Sequence, residues 1–99
     1  SGAISDLNKA IAIDPESPRI YHMRAIHKRE LGDISGAISD LNKAIGINSE
    51  YYSSFLLRGI FNYEIGDKKG ACSDWRKASY LGNENLSEDF AAKYVINHC

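Results

Sequence analysis

The feature that most constrains this chain is a repeat with a fixed period. The stretch "SGAISDLNKAIAI" at residues 1–13 returns as "SGAISDLNKAIGI" at residues 35–47, with 12 of 13 residues identical. A third copy, "KGACSDWRKASYL", follows at residues 69–81 and keeps Gly70, Ala71, Ser73, Asp74, Lys77 and Ala78. The segments between the copies align at the same offset of 34: Arg24 with Arg58, Ile26 with Ile60, Glu30 with Glu64, and Gly32-Asp33 with Gly66-Asp67. A period of this length marks a stack of small units. Each unit is too small to bury its own apolar face and does so against its neighbours.

Each unit reads as two helices. Ala37, Leu41, Ala44 and Ile45 fall at i, i+4, i+7 and i+8, on one helical face, and Tyr21, Ala25 and Lys28 share one side of the preceding segment. Ser17-Pro18 reads as an N-cap followed by proline in the first turn. Gly32 and Gly66 stand where a left-handed residue ends a helix, and Asp33 and Asp67 are placed to cap the next one. No segment alternates with period two long enough to make a strand. Helices are expected at about 1–13, 18–31, 34–46, 50–65, 68–81 and 87–97.

With these residues in register, residues 1–83 resemble the tetratricopeptide-repeat family, whose unit is a 34-residue helical hairpin. Ala25 and Gly59 match the small position of the first helix, and Ala37, Ala44, Ala71 and Ala78 match those of the second. Tyr21, Phe55, Leu41 and Trp75 match the large positions, and Pro15 the closing proline. Ser49 and Asn83 depart from that proline. Arg24 and Arg58 replace a usual leucine, and Lys28 and Asn62 a usual tyrosine. The resemblance implies an all-α, right-handed superhelical solenoid of antiparallel helical hairpins with a C-terminal capping helix. The expected organisation is a single domain, 1–99. Within it lie the second helix of an incomplete unit (1–17), repeats at 18–51 and 52–83, and a cap at 84–99.

Composition narrows the function classes. The net charge of −1 gives no reason to expect nucleic acid or a membrane surface, and no apolar run reaches the ~20 residues of a membrane span. Two cysteines are too few for a disulfide scaffold and fit a reducing, cytoplasmic compartment. Cys72 holds the register position of Ile4 and Ile38, as a small buried hydrophobe would, and Cys99 is expected to be idle. His22 and His27 point about 140° apart on a helix, and His98 lies elsewhere, so no metal site is expected. No glycine-rich phosphate loop, nucleophile elbow or zinc-binding helix is present, so neither catalysis nor a cofactor is expected. The carboxylates Glu88-Asp89 suit a helix start, and Asn85 with Glu88 resembles a capping box.

The recurring arginines need recurring partners, because an unpaired charge away from water is costly. Two pairings fit: Arg24 with Asp40 and Arg58 with Asp74 inside a unit, or Asp6 with Arg24 and Asp40 with Arg58 across a junction. The resemblance also implies a concave groove lined by the first helix of each unit, where a peptide or partner protein binds. One helix would offer Arg19, His22, Met23, Ile26, Arg29 and Glu30; the next Ser53, Leu56, Leu57, Ile60, Tyr63 and Glu64. Leu56, Leu57, Ile60 and Tyr63 would anchor apolar groups, while Arg19, His22 and Arg29 would orient an acidic one. The clamp with which some members hold chaperone tails is absent, its positions being His22, Ile26, Leu56 and Ile60. The helix "YYSSFLLRGIFNYEIG" is apolar nearly all round, so something beyond the two hairpins is expected to cover it. Leu56 and Leu57 as core in a shifted register is the competing explanation. The alternative function is self-association, with Ile4, Leu7 and Ile11 as the edge of a homo-oligomer.

Overall fold

A computed structural model describes residues 2–82 and 90–99. The expected capping box at Asn85 and Glu88, the Glu88-Asp89 pair and the start of the sixth helix at 87 lie outside them. The described residues form six helices: α1 (Gly2–Ile13), α2 (Pro18–Glu30), α3 (Ile34–Ile47), α4 (Tyr52–Glu64), α5 (Lys68–Leu81) and α6 (Phe90–His98). They fall into two compact units, Ser1–Ser49 and Glu50–Cys99.

In the first unit, Pro18 opens α2, its fixed φ and missing N–H costing nothing in a first turn. Ser17 precedes it but makes no side-chain capping bond, unlike the expectation. α2 ends at Glu30, and the chain turns at Gly32, whose φ of 89° favours a residue without Cβ. The Asp33 carboxylate then accepts from the Gly36 N–H at 2.9 Å and caps α3. The two helices close on Tyr21, Ala25, Ala37, Leu41 and Ala44, all buried. α1 packs on α2. Although α1 nearly duplicates α3, it buries no residue fully, whereas α3 buries Ala37, Asp40, Leu41 and Ala44.

The second unit repeats the hairpin. Gly66 has φ 90°, and Asp67 caps α5 by accepting from the Gly70 N–H at 2.9 Å. Trp75 is 1% exposed, and its indole N–H donates to the Leu56 carbonyl at 3.3 Å. Gly59 leaves room for that ring: a Cβ there would stand 2.5 Å from Trp75 Nε1.

α6 packs on α5. Tyr94 stacks on Trp75 with ring centroids 4.8 Å apart, and His98 lies 4.9 Å from the Tyr63 ring. Two expectations are corrected here. Cys72 is buried, but it is not a simple hydrophobe, and Cys99 is not idle: the two form a disulfide with Cα atoms 5.9 Å apart. The cysteine count therefore no longer argues for a reducing compartment. Part of the cover expected for the apolar α4 also comes from within the chain. Leu56, Ile60 and Tyr63 pack, together with Tyr94 and Val95 of α6, against the cluster of Ala71, Cys72 and Trp75.

Candidate functional site

Both recurring ion pairs form within a unit. Arg24 Nε and Nη2 donate to the two Asp40 oxygens at 2.8 and 2.6 Å. Arg58 does the same to Asp74 at 2.9 and 2.7 Å. This two-pronged geometry matches a planar guanidinium to a planar carboxylate, which suits arginine and not lysine. The hydrogen bond to Asp40, more than the cost of burial, raises the Arg24 pKa above its already high value. The aspartates are nearly inaccessible, at 4% and 5% exposure. Both carboxylates are thus engaged by the arginines through both of their oxygens.

Three satellites of these pairs escaped the sequence reading. Arg24 Nη1 donates to Asn8 Oδ1 of α1 at 2.8 Å, so one side chain joins α1, α2 and α3. Lys28 Nζ lies 3.2 Å from Asp40, and Asn62 Nδ2 donates to Asp74 at 3.0 Å. Lys28 and Asn62 stand at the same register, where the resemblance leads one to expect tyrosine. Their common signal is a side-chain donor one helical turn beyond the arginine.

The α2 residues expected to meet a ligand divide by exposure. Arg19, Met23, Ile26 and Arg29 are exposed, Met23 and Ile26 at 39% each. At spacings of four, three and three they form one stripe, with two apolar residues between two cations. His22 is half-buried beside them, and burial lowers its pKa below the usual 6.5, favouring the neutral imidazole.

In the second unit the α4 residues sit differently. Ser53, Leu56, Leu57, Ile60 and Tyr63 are all half-buried. Leu56, Ile60 and Tyr63 spend part of their surface on the α5–α6 cluster described above, and Leu57 is outside that cluster. Lys68 Nζ stands 5.9 Å over the Tyr63 ring. A shallow depression lies on the α6 surface among Lys93, Tyr94, Asn97 and His98. At the edge named for self-association, Ile4, Leu7 and Ile11 are half-buried, and Ile13 beyond them is 85% exposed.

These hairpins, with a small residue where helices cross and a large one opposite, define a class. No family sequence model matches the chain, and no curated relative does either. Solved structures do match. The first tetratricopeptide-repeat domain of Spaghetti (RPAP3), bound to the HSP90 peptide SRMEEVD, superposes with a TM-score of 0.83 at 23% identity. That match covers 95% of this chain and 72% of the other. The Arabidopsis OM64 tetratricopeptide-repeat domain gives 0.82 at 26% identity, over 97% and 79%. MamA gives 0.74 at 19% identity, over 96% and 64%. This is a helical-repeat protein. Its fold is that of the tetratricopeptide-repeat domains.

Proposed function

We propose that this chain is a non-catalytic module that binds a peptide or partner protein. The observation that carries the reading is the α2 stripe: exposed Met23 and Ile26 between exposed Arg19 and Arg29. Large apolar side chains held open on a rigid helix and bracketed by cations suit an acidic segment with apolar anchors. Half-buried His22 is placed to orient an acidic group. In the second unit Leu57, with the open parts of Ser53, Leu56, Ile60 and Tyr63, would supply further anchors. The peptide-bound RPAP3 domain supports a polypeptide ligand for this fold, and the buried carboxylates Asp40 and Asp74 are held in ion pairs with Arg24 and Arg58. The test is an acidic peptide library displayed against the purified chain. Binders should be lost in Ile26→Glu, weakened in Arg19→Ala and sensitive to salt, with helicity unchanged. Binding unaffected by Ile26→Glu would remove α2 from the site.

A second reading is self-association through Ile4, Leu7 and Ile11. It is favoured by one contrast: α1 nearly duplicates α3 yet buries no residue fully. Sedimentation should then show a dimer that Leu7→Lys converts to monomer. A wild-type chain that stays monomeric at high concentration defeats it.

A further inference from the structure

We infer that α6 is a reducible latch over an apolar and aromatic docking surface on α4 and α5. The surface centres on Trp75 and Tyr63, which α6 meets through Tyr94 and His98; Leu56 and Ile60 pack, beside Tyr94 and Val95, on the same Ala71–Cys72–Trp75 cluster. Among the described residues α6 spans nine, fewer than an isolated helix needs to persist in water. Its anchors are the Tyr94–Trp75 stack, the His98 contacts with Tyr63 and Trp75, and the Cys72–Cys99 bond that ties its end to α5. The two cysteines differ in access. Cys72 is buried in the cluster, while Cys99 is exposed.

That asymmetry directs the chemistry to Cys99. A thiolate of a dithiol reductant attacks the Cys99 sulfur and breaks the bond to Cys72, which leaves as a thiolate and takes up a proton. The second thiol of the reductant then displaces Cys99 as a free thiol and closes the reductant's own disulfide. Two electrons and two protons pass from the dithiol to the cystine. Released from its tether, α6 leaves Trp75 and Tyr63 open. The occupant that fits is what already sits there: an amphipathic helix of a partner, with an aromatic residue and a β-branched residue adjacent, as in Tyr94-Val95. This rests on the polypeptide-binding reading only for the kind of occupant. An oxidising compartment keeps the surface shut, and the reducing cytoplasm opens it.

Trp75 is the chain's sole tryptophan and reports on the latch directly. Reduction with a dithiol, confirmed by titration of both thiols, should shift its emission to longer wavelength. Amide protection should fall in residues 90–98 while α4 and α5 keep theirs. A labelled peptide of residues 90–98 should bind the reduced chain at least about tenfold more tightly than the oxidised one, because the oxidised chain seldom shows the open state. Cys99→Ser should behave as the reduced chain with or without dithiol. Unchanged emission and protection after full reduction would overturn the latch, as would equal peptide binding to both forms. Loss of protection throughout α4 and α5 would also overturn it, since the bond would then hold the whole unit together. None of these readouts involves α2, so failure of the α2 site and failure of the latch are separate results.

Discussion

Gly59 and Trp75 are a matched pair: the indole lies where a side chain at 59 would be, 2.5 Å from an added Cβ. One repeat earlier the same positions hold Ala25 and Leu41, both fully buried. Volume lost on the first helix is regained on the second, as close packing requires. Gly59→Ala should therefore destabilise by about 1–3 kcal/mol through overpacking, although alanine is the better helix former by about 1 kcal/mol. Trp75→Leu alone should cost several times RT, by opening a cavity and losing the Tyr94 stack. The double variant, which rebuilds the Ala25–Leu41 combination, should cost clearly less than the sum. Denaturant titration of the four chains in this cycle measures the coupling.

The two ion pairs should differ in what their loss costs. Arg24→Ala leaves Asp40 with the Lys28 ammonium at 3.2 Å. Arg58→Ala leaves the nearly inaccessible Asp74 with the neutral Asn62 amide. An unpaired buried charge is the costlier outcome, so Arg58→Ala should destabilise by about 2–3 kcal/mol and Arg24→Ala by less. Arg29→Ala, on the exposed face, should change stability by under about 0.5 kcal/mol. Chemical denaturation at neutral pH and moderate salt ranks the three.

The caps predict a specific non-additivity. A Cβ on Gly36 would collide with the Asp33 carboxylate that caps α3. Gly36→Ala should thus displace the cap and cost about 1 kcal/mol, near the cost of Asp33→Ala. Once Asp33 is alanine the collision is gone, and Gly36→Ala should then stabilise by up to about 1 kcal/mol through helix propensity. Thermal melts of the single and double variants decide this.

His22 sets a pH dependence whose sign is fixed by its burial. Its folded pKa lies below 6.5, so near that pH the unfolded chain binds the proton more readily. Its effect is absent above about pH 6.5, and stability is lost as the pH falls from there to the folded value. Melting midpoints should drop between pH 7.5 and 5.5, and His22→Gln should shrink that drop. An equal drop in the variant would mean that other groups carry it.

Much of this architecture could be read before any coordinates. The 34-residue offset placed the first five helices, because a duplicated pattern averages out local ambiguity. Gly32 and Gly66 were legible as turns because only glycine takes their backbone angle at no cost, and Asp33 and Asp67 as caps because they follow at once. The choice of Arg24–Asp40 over Arg24–Asp6 was not legible. Both aspartates recur at the same spacing, and only the hairpin geometry separates them. The disulfide was hidden for another reason. Cys99 lies outside the repeat, so no register ties it to Cys72. The packing of α6 followed it out of sight, so that Tyr94 and Val95 sharing one cluster with Leu56, Ile60 and Tyr63 was not foreseen. Ser17 shows the limit of composition: a capping residue type stood in place without making the bond.

Arg24 reaches back to Asn8 and forward to Asp40, so a single side chain writes the joint between one copy and the copy before it. The amide recurs as Asn42, but the third copy carries Arg76 there, a donor where an acceptor is needed. After the third copy the same grammar fails, since two guanidinium groups would face each other.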